Sequence, residues 1–292
     1  MNKFCIQIVL LLLSIFVYVN NKAIATELGP KNPPPKAPNK SPTPEPTDLC
    51  LTDSSKEAHE KTKDMLCTDP KETKEAIKLM NEAVKELEHH ATDMRNYKLC
   101  KLSVHHDLSL YKKKLENNTN VEKIEYSVYG FNKYDEIINE IWDPDHANPF
   151  NSGSVKIARV YNPNLVIIQQ RYKKKIGSRQ KYFYALATKA QISENTTVIA
   201  YTSADINDHN PSTKKYENTI IKKANLFKTD INSEEDIRKG KLIKMFVNLS
   251  GYHIQKQDDR VDVTYIESID GHASVKHIYL CGIRFSGYCV NE

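Results

Sequence analysis

No CxxC pair and no cysteine–histidine grouping at zinc spacing occurs in the chain, which removes the common structural zinc modules from consideration. There is no HExxH helix, no GxSxG turn and no glycine-rich phosphate loop, so zinc peptidase, serine hydrolase and nucleotide-phosphate chemistry have no carrier. A large charge of one sign is missing too. The formal net charge is +5, and removing Lys3 and Lys22 of the leader leaves +3. That is too little for a dedicated nucleic-acid binder and agrees with transient contact with an anionic membrane surface. Beyond residue 19 no apolar run approaches the roughly 20 residues a membrane span needs.

The one long apolar run stands at the N-terminus. Met1-Asn2-Lys3 precedes an apolar stretch over residues 6–19, and Ala23-Ile24-Ala25 fits a small-residue cleavage site. This is the pattern of a secretory signal peptide over residues 1–25, with an uncleaved anchor as the competing reading. A secreted or exported product is expected. Once Cys5 leaves with the leader, Cys50, Cys67, Cys100, Cys281 and Cys289 remain. An odd number permits at most two internal disulfides, and Cys67 with Cys100, which bracket a predicted helix, is the expected staple.

Residues 26–49 form a linker in which eight of the seventeen positions from Pro30 to Pro46 are proline, an extended spacer that cannot bury a core. Residues 50–107 read as a helical N-terminal region. Within it Asp69-Pro70 supplies a capping residue and a proline at the first helical position. Ile77, Met80, Val84 and Leu87 then recur at spacings of three and four, predicting a helix that ends near Thr92. A shorter helical or irregular piece is expected through Cys100 and His106.

From about Leu108 the pattern predicts strands over 110–116 and 121–128, a helix over 131–142, and strands over 157–161, 165–172, 181–190, 196–204, 218–226, 241–254 and 260–268. Short turns between them favour an antiparallel sheet. Three strands depart from simple alternation: LVII from Leu165, TVIAYT from Thr197 and LIKMFVNL from Leu242 are apolar on both faces. A sheet with one wet face alternates, so these strands predict burial on both sides.

Other clusters have ordinary explanations. His89-His90 and His105-His106 are adjacent pairs that point to different faces, and no metal site is expected. The acidic stretch from Asp230 to Asp236 begins like a calcium loop but has Lys241 at the twelfth position and no glycine at the sixth. It predicts a short helical turn capped by Ser233. Asp143 and Asp145 flank Pro144 as a helix end; no catalytic residue and no cofactor is expected. Asn117, Asn195 and Asn248 begin glycosylation patterns, and the third lies inside a strand, which argues against its use. Lys173, Lys174, Lys175, Arg179 and Lys181 surround a Gly-Ser turn. Two readings stand for it, a solvated hairpin tip and the cationic rim of a cavity. Nucleic acid is disfavoured because Tyr182 and Tyr184 enter a strand instead of an open platform.

The leader MNKFCIQIVLLLLSIFVYVNNKAIATEL, then IWDPDHANPF, RVYNPNLVIIQQRY, SRQKYFYALA, TSADINDHNP and YIESIDGHASV together resemble the fam-a proteins of rodent malaria parasites. Those proteins are in turn similar to START (steroidogenic acute regulatory-related lipid transfer) domains, a resemblance running here over residues 108–292, with Ser178-Arg179-Gln180 and SIDGHASV from Ser268 at the matching places. The resemblance implies an α+β helix-grip fold: a curved antiparallel sheet around a lipid tunnel, with an N-terminal helical extension. It implies a phospholipid ligand, phosphatidylcholine-like, carried by a protein exported to the parasitophorous vacuole or the host red cell. Trp142, Ile168, Tyr184, Tyr201, Phe246 and Tyr265 are the expected lining, and Arg171 the expected partner of a phosphate. The C-terminus departs from the START pattern. Gly282 interrupts the spacing of Val275, Ile278 and Tyr279, so a truncated or atypical closing helix is expected. The competing function is a START-derived module that binds partners or faces host immunity without transferring lipid.

Overall fold

The computed structural model describes residues 65–103, 107–115, 119–130, 132–144 and 153–271, together with the backbone of 277–280 and 283–286. The signal peptide, the proline-rich linker, Cys50, His105, His106, Asn117, Asp145, Cys281 and Cys289 lie outside the described residues.

Helix α1 spans Pro70–Thr92, and its first turn is closed as the sequence suggests, with the Asp69 carboxylate accepting from the Lys71 amide at 2.8 Å. Its buried stripe is centred on Ala76, Leu79, Ala83 and Leu87, none more than 1% exposed, while Ile77 is 40% exposed at its margin. The two alanines bring the helix backbone close to what it covers.

That surface is an antiparallel sheet. Its strands are β1 (Lys98–Ser103), β2 (Leu108–Lys114), β3 (Asn120–Tyr129), β4 (Gly153–Asn162), β5 (Leu165–Tyr172), β6 (Lys181–Ser193) and β7 (Thr196–Thr202). An excursion follows, made of β8 (Asp205–Asn207), a 3-10 turn (Lys222–Asn225), β9 (Lys228–Asp230), the one-turn helix α3 (Glu235–Arg238) and β10 (Ile243–Lys244). The sheet resumes with β11 (Phe246–Lys256) and β12 (Arg260–Asp270). Helix α2 (Lys133–Trp142) connects β3 to β4. The order is β1-β2-β3-β12-β11-β7-β6-β5-β4, every pair on this path antiparallel, with β10 added parallel to β6. The chain is therefore α+β with an open sheet, bounded among the described residues by β1 and β4. The hairpin β13 (His277–Leu280) and β14 (Ile283–Ser286) follows, and no helix is seen after Asp270 among the described residues.

Several expectations change. Residues 98–103 form an edge strand paired with β2 where a helical or irregular piece is expected. Residues 218–226 are not a strand, because the buried Asn218 curls the chain. Its Oδ1 accepts from the amides of Ile220 and Ile221, while its Nδ2 donates to Thr202 Oγ1 and the Asn248 carbonyl, both at 2.8 Å. Ser233 does not cap α3. Its hydroxyl donates to the Asp208 carbonyl at 2.5 Å, and Glu234 stands at the cap position. The expected Cys67–Cys100 staple is absent. Cys67 is a free thiol against the α1 core, whereas Cys100 is disulfide-bonded to a partner outside the described residues.

Three contacts fix α1 to the sheet. At its start the Glu72 carboxylate accepts from Arg159 (2.8 Å), the Tyr161 hydroxyl (2.6 Å) and Thr229 (2.8 Å). In its last third, Gly251 of β11 leaves room for Leu87; a Cβ there would lie 2.5 Å from Leu87 Cδ1 and 2.1 Å from the Ile199 carbonyl, at φ +149°. At its end the buried Lys123 of β3 donates to the carbonyls of Ala91 (3.2 Å) and Asp93 (3.3 Å), which the helix leaves without internal partners. Burial holds the Lys123 ammonium below the usual lysine range.

Gly251→Ala is expected to cost about 3 kcal/mol in urea unfolding, since both neighbours are fixed backbone or packed core; a change below about 0.5 kcal/mol would refute the close approach. Peptide mapping under non-reducing conditions should find Cys100 cross-linked and Cys67 alkylated.

Candidate functional site

The sheet buries apolar side chains on both faces, and the register assigns each residue to one of them. One face holds α1 and the excursion. Its core joins Leu79, Met80 and Leu87 to Ile167, Leu186, Val198 and Leu249 of the sheet, and to Ile206, Ile221, Phe227, Ile231, Ile237 and Leu242 of the excursion. The opposite face carries α2, whose Tyr134, Ile137 and Ile138 pack with Ile199, Tyr252, Ile254 and Tyr265. Tyr134 also hydrogen-bonds Thr197 at 2.8 Å, which seats the helix.

Directly paired residues share a face, so one row of the α2 face can be followed across six strands. It runs Lys189, Ile199, Tyr252, Tyr265, Ile124 and Leu110. The neighbouring row runs Val166, Ala187, Tyr201, Ser250 and Glu267, with Ile168 paired to Ala185 beside it. This surface is apolar and aromatic with a few polar groups set into it. Tyr265 donates to the buried Glu267 at 2.6 Å and meets the Ser250 hydroxyl at 3.2 Å, and burial holds its phenol neutral far above the ordinary range. Tyr201 is raised likewise by burial alone.

The seven residues proposed from sequence divide between the faces. Ile168, Tyr201, Tyr265 and, from the end of α2, Trp142 belong to the α2 face. Tyr184 belongs to the α1 core, its hydroxyl accepting from Gln169 and its phenol pushed up to about 12 by burial. Phe246 stacks on Tyr216 of the excursion, with centroids 5.2 Å apart and planes within 5°. Arg171, paired with Tyr182, projects to the α1 side as well, and its guanidinium is occupied. It donates to both carboxylate oxygens of Asp236 (2.6 and 2.9 Å), to Glu234 (3.2 Å) and to the Gln169 side-chain oxygen (3.0 Å). Its role is to hold α3 and the acidic loop against the sheet. Those hydrogen bonds keep the Asp236 carboxyl below its ordinary range despite burial.

Lys189 is absent from that set, although it opens the first row. It is half-buried beside Trp142, its ammonium 5.5 Å from the ring centre. The pattern of alternating residues along β6 contains it, but pairing register is needed to give it a face.

The basic turn between β5 and β6 is an exposed tip. Lys173, Lys174 and Lys175 are exposed, and Ile176 at the apex is fully exposed at 106%. Arg179 leaves the tip to donate to the carbonyls of Gly240, Lys241 (3.3 Å) and Leu242 (2.9 Å). Two open cavities, of about 330 and 320 Å³, lie beside Arg179, Tyr216 and Lys244 and beside Glu125, Arg260 and Asp262; neither is lined by the seven residues. No helix among the described residues is long and apolar enough to cross a membrane. The described residues contain no group of three or more metal-ligating side chains.

No protein-family model matches the sequence, and no curated protein matches it. Among solved structures, the chain is similar to human StAR-related lipid transfer protein 5, at 11% identity and a TM-score of 0.48, covering 68% of this chain and 84% of that one. It is also similar to human STARD10, at 12% identity and a TM-score of 0.46 over 65% and 67%. A third similarity is to the lipid transfer and protein localization domain of human StarD13 (DLC2), at 15% identity and 0.39 over 68% and 85%.

Arg171→Ala is expected to speed amide hydrogen exchange over residues 229–240 and to cost about 1 kcal/mol at pH 7, because the clamp is part-exposed. Asp236 is depressed in the folded state, so its contribution is present above pH 3.8 and fades as the pH falls through its folded value. The variant should therefore converge on the parent protein in acid. Loss of phospholipid uptake with unchanged exchange would return Arg171 to the role expected from sequence.

Proposed function

We propose that this chain is a lipid-binding and lipid-transferring protein of the fam-a kind with a START-like domain, which carries one phospholipid on the α2 face of its sheet. The observation that supports this reading is burial on both sides of one sheet. The α1 face is filled by a helix and a long excursion, while on the α2 face Ile168, Ala185, Ala187, Ile199, Tyr201 and Tyr265 belong to a second apolar interior several strands wide, of which α2 covers Ile199 and Tyr265. Burying one apolar acyl methylene group on such a surface contributes about 0.8 kcal/mol, so two chains need no catalytic group to hold them. The hydroxyls of Tyr201, Ser250 and Tyr265 and the Glu267 carboxylate are among the polar groups set into that wall.

Transfer requires a place to meet a membrane. The Ile176 apex with Lys173, Lys174 and Lys175 behind it has that chemistry, an apolar tip to enter the interface and cations to meet anionic headgroups. The ligand proposed is phosphatidylcholine-like, and the destination is the parasitophorous vacuole or host red cell, reached through the residue 1–25 signal. The hairpin β13–β14, standing after the last sheet strand where a closing helix is expected, favours the second reading, a START-derived module that binds partners without transferring lipid.

Native mass spectrometry of the purified protein, with lipid extraction from the same sample, separates the two. One phospholipid per chain, exchanging with labelled vesicles, is the expected result. A folded protein that stays empty in the presence of vesicles sinks the transfer reading. Ile176→Asp should slow exchange between vesicles about tenfold without lowering occupancy.

A further inference from the structure

Lys189 is a cation in an apolar setting without a counter-charge. It leaves β6 on the α2 face, since its direct partner is Ile199. Its ammonium stands 5.5 Å from the centre of the Trp142 ring. Among the described residues no carboxylate pairs with it, and desolvation alone holds its pKa below the usual lysine range. Lys113 also stands over a ring, that of Tyr97 at 5.3 Å, but its partner in the sheet is Val121, so it lies on the α1 side. Five further cations of the domain meet oxygen acceptors. Lys123 caps α1, Lys244 is bonded to Asp208 at 2.8 Å, Lys156 meets Glu234, Arg159 meets Glu72 and Arg171 meets Asp236. Each of these has an acceptor within its own fold; Lys189 has a ring. A half-buried ammonium gains little from a cation–π contact against what it gives up in hydration. It gains more from an oxyanion delivered to the same place.

We infer that Lys189, supported by Trp142, is the anion-recognition position of the α2 face and takes a phosphate group, in the first instance that of a bound phospholipid. This rests on the lipid-binding reading above and names the residue that selects the headgroup. Tyr201 lies on the same face, on β7, where it pairs with Ala187, two residues from Lys189. An acyl chain running from Lys189 along the row toward Tyr265 would meet Ile199 and Tyr252.

Trp142 is the single tryptophan of the chain, so its emission reports on this position alone. Parent protein, Lys189→Gln and Lys189→Arg are each equilibrated with vesicles holding equal phosphatidylcholine and diacylglycerol, and bound lipid is read by native mass spectrometry. The parent and Lys189→Arg should favour the phospholipid, and Lys189→Gln should lose about tenfold of that preference at unchanged total occupancy, the equivalent of about 1.4 kcal/mol. An unchanged preference in Lys189→Gln overturns the assignment and leaves lipid binding intact. Empty parent protein overturns the lipid reading instead, and a second arm then decides Lys189 by itself. In that arm, glycerol 3-phosphate is titrated against Trp142 emission. A saturable change in the parent, absent in Lys189→Gln, identifies a soluble phosphate ester as sufficient. No change in that arm, with no lipid bound, overturns the anion site.

Discussion

Along β6 every second side chain leaves the sheet on the opposite side, so Tyr184 and Ala185, joined by one peptide bond, belong to different interiors. Almost everything else in the domain depends on that alternation being carried in register through neighbouring strands. Leu186 and Thr202 face α1, while Ala187 and Tyr201 face α2. A slip of one residue would exchange the two interiors, placing Lys189 in the α1 core and Leu186 on the opposite face. The register is held by side chains that only one alignment satisfies. The Ser203 hydroxyl donates to the Tyr184 carbonyl and accepts from the Val247 amide, linking three strands of the sheet at one point.

The α1 face is closed by two layers with different means. Helix α1 closes it by fit, through Ala76, Ala83 and the gap over Gly251. The excursion has little regular structure and closes it with buried polar nodes. Asp208 is the clearest of these. It is 2% exposed, accepts from Tyr182 and Lys244 at 2.8 Å each, and its own carbonyl receives Ser233. A buried carboxylate is costly alone and is stable here because each oxygen has a donor. Asn218, Glu72 and Arg171 do the same at three other places, so the excursion is fastened to the sheet at four polar nodes.

The elements of regular periodicity were legible in the sequence, and so was two-sided burial. Residues 165–172 form a strand with the expected limits, and α1 begins at Pro70 and ends at Thr92 as its caps and spacing indicate. What was not legible follows from pairing. Arg171 stands in a strand of apolar residues, and sequence alone cannot say that Asp236, sixty-five positions later, folds back on its side of the sheet. Tyr184 and Phe246 were proposed as lining for their size and place in apolar strands, and register sends both to the other face. The stretch 218–226 has strand composition, but one buried amide at Asn218 consumes the backbone groups that a ladder would need. Cys67 and Cys100 bracket a helix, yet α1 is long and Cys100 lies on an edge strand beyond it, where its disulfide partner is a different residue.

Apolar surface on the α2 face and a lone ammonium at one end of it are two parts of one physical requirement. A surface of aliphatic and aromatic side chains gains free energy by meeting anything apolar and so does not discriminate among ligands. Discrimination needs a group whose charge is left unsatisfied by the wrong ligand. Lys189 is placed for that, since the Trp142 ring supports its charge without neutralising it. An internal carboxylate, as at Arg171, would stabilise the fold more and leave nothing for a ligand to satisfy. The two cations therefore define the two faces: Arg171 is spent on holding the structure together, and Lys189 is kept available.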